Sequence, residues 1–211
     1  MHYSKNDIEQ MGRIQKIKYI NSVSGIKPAN LIGTISNSGQ PNLAIFSSVF
    51  HLGSDPALLG FVSRPIGEIA RHTYANILEN KQYTINHVDR SFIENAHYTS
   101  AKIEREQSEF EVCGLTEEYI PTFKAPFVKE SALKMGMDLK ETIDINLNGT
   151  ILVIGEIQDL IIPDAAIGED EDIDLANING IGISGLNTYY SLKKIERFPY
   201  ARSNEIPELK K

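Results

Sequence analysis

The chain has 211 residues, a net charge of −7 and 41% apolar residues, values that are ordinary for a globular protein with a sizeable core. Its lysines and arginines are scattered rather than clustered, so the basic patch typical of nucleic-acid-binding proteins is missing. No apolar run approaches the roughly 20 residues that span a bilayer, and the N-terminus lacks a signal-peptide core. A single cysteine, Cys113, excludes an internal disulfide and a cysteine-based zinc site. We expect a cytoplasmic protein that binds neither nucleic acid nor membrane.

The first part of the chain predicts a short helix and then three strands. Asp7 is a candidate cap for a helix that carries Ile8, Met11 and Ile14 on one side. Three β-rich apolar runs follow, at residues 31–36, 42–50 and 57–63. Residues 37–41 and 53–56 have the composition of turns and separate these runs.

The middle of the chain predicts short helices around one strand. Residues 66–78 fit helical spacing in part, and Thr73 is an alternative N-cap for a shorter helix that ends at Asn80. Residues 81–88 alternate like a strand, and residues 91–100 read as helical. Residues 108–111 have capping-box spacing, and we expect Glu109 to be a capping or surface residue.

The last part predicts a long hairpin and one more strand. Residues 135–146 and 150–160 are strand candidates joined at Asn148 and Gly149, which is a strong hairpin signal. Residues 178–184 form a last strand, and the polar tail from Ser203 is expected to fray. With no repeat and no linker, the chain is expected to be a single domain over residues 1–211 with a core at about 20–195. The fold class is mainly β: an antiparallel barrel of about six strands with short helices.

Three motifs carry no function in this context. The pattern at Gly180–Gly185 matches GxGxxG, but the 26 residues that follow Gly185 leave no room for a βαβ unit. The acidic run at 169–174 lacks the glycine and the closing glutamate of a calcium loop. The five histidines show no paired metal-ligand spacing, and no GxSxG motif supports hydrolase chemistry.

Ser47 and Ser48 stand out because they interrupt the apolar run at residues 42–50. Small hydroxyl side chains in such a run let a flat molecule approach the backbone, whose N–H and C=O groups can then bind it. They are equally consistent with local hydrogen bonds to the backbone, and the two interpretations remain open.

Several segments together resemble the flavin reductase-like family, whose fold is the FMN-binding split barrel. The similar text spans residues 28–190 and comprises LIGT at 31–34, NLAIFSSVF at 42–50, DP at 55–56, LGF at 59–61, TYANI at 73–77, YTIN at 83–86, AHYTSAK at 96–102, SEF at 108–110, NGT at 148–150, GE at 155–156 and GL at 185–186. No piece is a strict signature, but the order and the spacing are specific.

The resemblance implies a flavin, FMN or FAD, held by two groups of residues, and no metal. The ring is expected on Phe46, Ser47, Ser48, Val49 and Phe50, and the polar and phosphate contacts on Ser63, Arg64, Thr73, His97, Thr99, Ser100 and Lys102. The start of a helix at Arg71, His72 and Thr73 is also a natural anion site. No catalytic side chain is predicted, because the flavin itself carries the hydride chemistry.

The resemblance further implies an oxidoreductase that transfers hydride from NADH or NADPH to flavin, and a homodimer in which Tyr189 and Tyr190 could close a neighbour's pocket. A downstream flavin-dependent oxygenase or another electron acceptor is an expected partner. The alternative is a flavoredoxin-like electron-transfer protein without its own nicotinamide site. A barrel used only for protein binding is a third interpretation, which leaves the two serines and the polar clusters unexplained.

Overall fold

The computed structural model describes residues 1–65, 67, 71–169 and 171–207. In this part of the chain the strands are β1 (Lys27–Pro28), β2 (Asn30–Ile35), β3 (Pro41–Phe46), β4 (Phe50–Ser54), β5 (Ala57–Ser63), β6 (Gln82–His87), β7 (Glu117–Glu118), β8 (Phe127–Val128), β9 (Lys134–Ile145), β10 (Thr150–Ile161), β11 (Ile181–Ser184) and β12 (Thr188–Ser191). The helices are α1 (Lys5–Gln10), α2 (Arg13–Ser22), α3 (His72–Asn80), α4 (Ile93–Tyr98) and α5 (Glu109–Val112), with 3₁₀ turns at Arg90–Phe92 and Asp164–Ala166.

A seven-stranded antiparallel sheet dominates the structure. Its strand order is β3-β2-β6-β9-β10-β5-β4, so two strands that are adjacent in the chain, β3 and β4, lie at opposite ends of the order. The strands β1, β11 and β12 form a second sheet, and β7 pairs with β8. The predicted antiparallel β fold with short helices is therefore confirmed, with one strand more in the main sheet than the six expected.

The main core lies on one face of the large sheet. It joins Phe61 and Val153 of β5 and β10 to Tyr83 of β6 and to Tyr74 and Ile77 of α3. The apolar side of α3 thus packs against this face of the sheet. A second cluster on the outer face packs Leu31 and Leu43 against Phe92, Ala96 and Phe110 from the helical segments. Both faces of β2 and β3 are consequently covered.

The long hairpin is the part of the fold that sequence describes best. β9 and β10 pair along their length from Thr150 and Ile145 at the turn to Ile161 and Lys134 at the other end. Gly149 ends the four-residue loop 146–149 with φ +72, a left-handed conformation that glycine adopts without strain.

Three element predictions need correction. The run at residues 42–50 is not one strand: β3 ends at Phe46 and β4 begins at Phe50. The first helix is capped by Ser4 in a reciprocal pair with Asp7, so Asp7 is the third residue of the helix and not its cap. The backbone then leaves the helical conformation at Gly12, and α2 follows as a separate helix.

The helices after β5 also differ in detail. The start of the helix predicted over 66–78 includes residues outside the described ones, and α3 itself begins at His72 after the N-cap Arg71. Thr73 is therefore inside the first turn and is not the cap. At α5, Ser108 occupies the N-cap position without a side-chain capping bond, so the predicted capping box does not form.

Candidate functional site

The segment between β3 and β4 is the structural irregularity around which the site is built. Ser47, Ser48 and Val49 leave the sheet ladder, which resumes at Phe50 opposite Gly60. Their N–H and C=O groups make no hydrogen bond to another backbone group of the described residues. Val49 is buried and both serines are half-buried. Backbone groups that no other group of the described chain uses are available to a polar ligand, and these three residues supply them consecutively.

The hydroxyl of Ser48 holds this segment against β5. Ser48 Oγ accepts a hydrogen bond from the Val62 N–H and donates one to the Val62 carbonyl oxygen, each at 3.1 Å. The local, backbone-satisfying interpretation thus describes Ser48. Ser47 has no such bond and keeps its hydroxyl available.

Aromatic rings flank the same segment. Phe46 meets Phe61 edge-on with ring centroids 5.1 Å apart, and Phe61 lies at 5.7 Å from Tyr83 in the same manner. On the other side of the segment, the Phe50 ring lies across Gly60. A Cβ added to Gly60 would approach the Phe50 ring to 3.0 Å. Glycine at position 60 therefore leaves room for Phe50, whose ring remains 41% exposed.

Ser63 and Arg64 lie where β5 ends, next to the Ser48–Val62 contact. Ser63 is buried, and its hydroxyl makes a long 3.4 Å bond to the Arg64 carbonyl oxygen. Arg64 is exposed and pairs with no carboxylate among the described residues. The structure thus brings Ser63 and Arg64 close to Ser47–Val49, the segment on which the flavin ring is expected, called the ring segment below.

The Thr73 hydroxyl already has a hydrogen-bond partner on β3. Asn42 Nδ2 donates to Thr73 Oγ1 at 3.0 Å and also to Thr34 Oγ1 at 3.3 Å. The contact fixes the first turn of α3 over the beginning of β3, while Phe46 lies at its other end. Thr73 thus lies at the Asn42 end of β3.

The polar cluster after α4 divides into buried and exposed members. His97 Nδ1 and the Tyr189 hydroxyl are 2.9 Å apart, which ties α4 to β12. Thr99 is buried, and its hydroxyl donates to the Ala96 carbonyl oxygen. Ser100 and Lys102 are exposed, and Lys102 makes no ion pair with a described residue. Thr99 thus serves the helix end, whereas the two exposed residues remain available.

Glu109 is the notable residue that the sequence interpretation misplaced. It is buried, not on the surface, and its Oε2 accepts a hydrogen bond from the Leu43 N–H at 2.9 Å. Burial raises the pKa of the Glu109 carboxyl above its ordinary value, although the Leu43 bond opposes the shift. This carboxyl group thus pairs with the Leu43 N–H on the free edge of β3, four residues before Ser47.

Two further observations on the described residues concern metal ligands and helix length. No three histidine, cysteine, aspartate or glutamate side chains of this part of the chain converge as ligands. Likewise, none of its helices has the length and apolar character required to cross a bilayer.

Comparison with known proteins gives a consistent result. Residues 26–180 match the flavin reductase like domain. A solved structure from Shewanella frigidimarina NCIMB 400, provisionally described as a flavin reductase with a split barrel domain, is 49% identical. It superposes with a TM-score of 0.91 over 95% of this chain and 100% of its own.

Two more distant structures share the fold. Nitrilotriacetate monooxygenase component B from Bacillus cereus is 19% identical with a TM-score of 0.81, over 94% of this chain and 98% of its own. Flavoredoxin of Desulfovibrio vulgaris (Miyazaki F) is 20% identical with a TM-score of 0.72, over 85% of this chain and 93% of its own. The sheet is therefore that of a split barrel, and the chain belongs to the flavin reductase like domain family, a membership that implies flavin binding.

Proposed function

We propose that this protein is an FMN-binding oxidoreductase of the flavin reductase type, which transfers hydride from NADH or NADPH to flavin. The observation that carries the proposal is the backbone of Ser47, Ser48 and Val49, which makes no backbone hydrogen bond within the described chain and lies between Phe46 and Phe50. An isoalloxazine ring has apolar faces and an edge of hydrogen-bond donors and acceptors, and this segment complements both.

The residues present fit the flavin in a second respect. A phosphate dianion requires several convergent donors, and Ser63 and Arg64 provide a hydroxyl and a guanidinium that pairs with no carboxylate of the described chain, beside the ring segment. Lys102, which has no partner among the described residues, and the first turn of α3 at Thr73 are the assisting groups.

The protein side of the reaction consists of binding and orientation. When bound, the flavin supplies the hydride acceptor, so no side chain needs to act as acid or base. The Ser48 brace attaches the ring-binding segment to β5, and Phe46 beside it packs edge-on against Phe61. Holding two flat rings within reach of each other is the main source of rate acceleration in this kind of chemistry.

We further propose a homodimer. Neither α1 nor α2 contains a buried residue, and the exposed apolar side chains of the α2 region include Ile14 at 71%, Ile20 at 51% and Val23 at 76%. Helices this short are marginal in water without an apolar contact, so a second copy is the simplest cover for them. Light scattering at micromolar concentration checks this point, and Ile14→Glu combined with Ile20→Glu should yield monomers.

The second candidate function is electron transfer without a nicotinamide site. The fold likeness to flavoredoxin of Desulfovibrio vulgaris favours it, because a flavoredoxin-like electron-transfer protein is the alternative function that the sequence resemblance implies. The likeness to a monooxygenase component B favours a downstream oxygenase as partner of the reductase instead.

One experiment separates the candidates. The purified protein is titrated with FMN, FAD and riboflavin, and anaerobic oxidation of NADH and NADPH is followed with each flavin present. Saturable flavin binding with nicotinamide oxidation supports the reductase. Flavin binding without oxidation of either nucleotide supports the electron carrier, and absence of flavin binding refutes both.

A further inference from the structure

An apolar patch lies on one side of the large sheet, at β4, β5, β9 and β10. A Cβ at Gly60 would come within 3.0–3.3 Å of three side chains of the patch, which therefore converge on this glycine. The other three lie on the same side, because they directly face Gly60 or Leu152 across a strand pair. The six residues, called the sheet patch below, are Phe50, Leu52, Val62, Ile143, Leu152 and Ile154.

No part of the described chain covers the sheet patch completely. Phe50 is 41% exposed, and Leu52 and Ile143 are each 42% exposed. On the opposite side of the same strands, Phe61 and Val153 are buried in the main core. An antiparallel sheet usually turns apolar residues toward the core and polar residues toward water. Strands that are apolar on both sides therefore indicate a second cover on the side of the patch.

The helix α2 presents another apolar surface without a cover. Ile14, Ile17 and Ile20 follow one another at intervals of three residues, so they share one side of the helix within an arc of about 120°. All three are exposed, and α2 contains no buried residue. At the other end of α2, Lys27 Nζ donates to the Asn21 carbonyl oxygen at 2.8 Å, which attaches the last turn of the helix to β1.

The charges of the two surfaces are complementary. α2 contains Arg13, Lys16 and Lys18 and no acidic residue. Beside the sheet patch, Glu141 directly faces Ile154 and makes no ion pair with a described residue. Two sheet patches packed on each other would gather like charges and leave α2 uncovered. Packing α2 on the sheet patch instead joins apolar to apolar and basic to acidic groups.

The sheet patch borders the ring segment. Phe50 belongs to the patch and directly follows Val49, the last residue of the ring segment. A helix that a second copy lays on the patch therefore lies beside the proposed flavin site. Since the Phe50 ring stays partly exposed in one copy, that copy alone leaves this side of the site open to water. In a twofold symmetric dimer each α2 covers the patch of the other copy, so both sites close together.

We propose that α2 of one copy docks on the sheet patch of a second copy and closes one side of its flavin site. The inference rests on the proposed flavin-binding function and the proposed homodimer. It adds which two surfaces meet and which element of the second copy completes the site.

The first test changes one residue on each of the two surfaces. Leu52→Glu places a charge in the sheet patch and Ile17→Glu places one on α2, both at exposed positions where the fold tolerates it. We expect both variants to be monomeric in light scattering at micromolar concentration and to bind FMN about tenfold more weakly than wild type. Leu147→Glu, at an exposed position in the turn between β9 and β10, is the control and should change neither result. Dimers that persist in both patch and helix variants would overturn the inference.

Cross-linking then identifies the surfaces that meet. Cysteines are introduced by Ile17→Cys and Leu52→Cys, alone and together, in a Cys113→Ser background that removes the native thiol. A short bifunctional maleimide should give covalent dimers of the double variant and of neither single variant. Covalent dimers of Leu52→Cys alone would show patch against patch, and those of Ile17→Cys alone would show helix against helix. A cross-link within one chain would show that α2 covers its own patch, and each of these three outcomes refutes the docking.

The oligomer measurements are separate from the function on which the inference rests. A wild-type dimer that binds no flavin would refute the proposed function, while scattering and cross-linking would still decide on the docking. A wild-type monomer that pellets with phosphatidylglycerol vesicles through Ile17 would assign α2 to a membrane surface and overturn the inference.

Discussion

Ser48 and Val62 hold each other by two hydrogen bonds of 3.1 Å, one in each direction, across the point where β3 gives way to β4. The Ser48 hydroxyl thus replaces the backbone hydrogen bonds between strands that are missing at this position. The consequence is that the ring-binding segment can leave its own backbone groups free without losing its attachment to β5.

Replacing Ser48 by alanine removes both bonds and leaves the Val62 N–H and C=O unpaired in a half-buried place. We expect the free energy of unfolding to fall by about 1–3 kcal/mol, measured by urea denaturation of the apoprotein. Ser47→Ala is the matched control and should change it by less than about 0.5 kcal/mol, because its hydroxyl makes no bond within the described protein. An equal loss in both variants would contradict the role of the Ser48 brace.

The comparison of sequence and structure at this point shows what local patterns can and cannot predict. Asn148 and Gly149 specify a turn by their own backbone preferences, so the hairpin of β9 and β10 was predictable. The break after Phe46 was not predictable, because residues 42–50 are continuously β-prone. Only the contact of Ser48 with the distant Val62 explains why the strand ends. Glu109 was misplaced for a similar reason: its partner Leu43 is 66 positions away.

Of the proposed site, the residues around Phe46–Phe50 could be found because paired serines interrupt an apolar run. Arg105 carries no such signal: it belongs to a charged loop and lines a small polar cleft with His72 and Asn76 only because that loop packs against α3. Likewise, Asn76 reads as an ordinary helical residue until its burial against Thr34 is seen.

Tyr83 carries a hydroxyl group that is fully buried and has no partner among the described residues. Burial raises the pKa of Tyr83 well above its usual range, which agrees with an apolar environment. We expect Tyr83→Phe to keep or raise the free energy of unfolding by about 1 kcal/mol, because it removes an unsatisfied polar group without changing the packing. A loss of stability in thermal denaturation would instead reveal a hydrogen bond to an internal water.

Gly155 tests the same hydroxyl from the opposite strand. A Cβ at this position would collide with the Tyr83 hydroxyl and approach the Asp138 carbonyl oxygen to 3.2 Å. We expect Gly155→Ala to destabilise the protein by about 1–3 kcal/mol, and Tyr83→Phe to restore part of that loss in the double variant. Gly12→Ala, which meets nothing within 4 Å, is the control. Strict additivity of the two changes would disprove the collision.

Glu109 makes stability depend on pH in a direction that is unusual for a carboxyl group. Burial raises its pKa in the folded state, so folding favours the protonated form. The contribution of protonated Glu109 to the free energy of unfolding is therefore complete below the ordinary glutamate pKa. It is lost as the pH rises through the raised pKa of the folded state. Glu109→Gln keeps an acceptor for the Leu43 N–H without the charge.

We therefore expect Glu109→Gln to melt at a higher temperature than wild type at pH 7, with a difference that shrinks toward pH 4. Differential scanning calorimetry across this pH range measures it. Glu111→Gln, an exposed neighbour in α5, should show no such trend. A Glu109→Gln variant that is less stable than wild type at pH 7 would show that the charge itself strengthens the Leu43 bond.

Arg64 is the residue on which the proposed flavin phosphate site depends most directly. It is exposed at the end of β5, so Arg64→Ala should leave the fold and the Ser48–Val62 contact intact. Loss of one charge-assisted hydrogen bond weakens binding by about one to two orders of magnitude. We expect this loss for FMN but not for riboflavin, which lacks the phosphate, in fluorescence titrations of the apoprotein. Arg90→Ala should bind both flavins as wild type does. Equal affinities of wild type and Arg64→Ala for FMN would exclude Arg64 as a phosphate ligand, and a parallel loss of FMN and riboflavin would assign it to the ring or the fold.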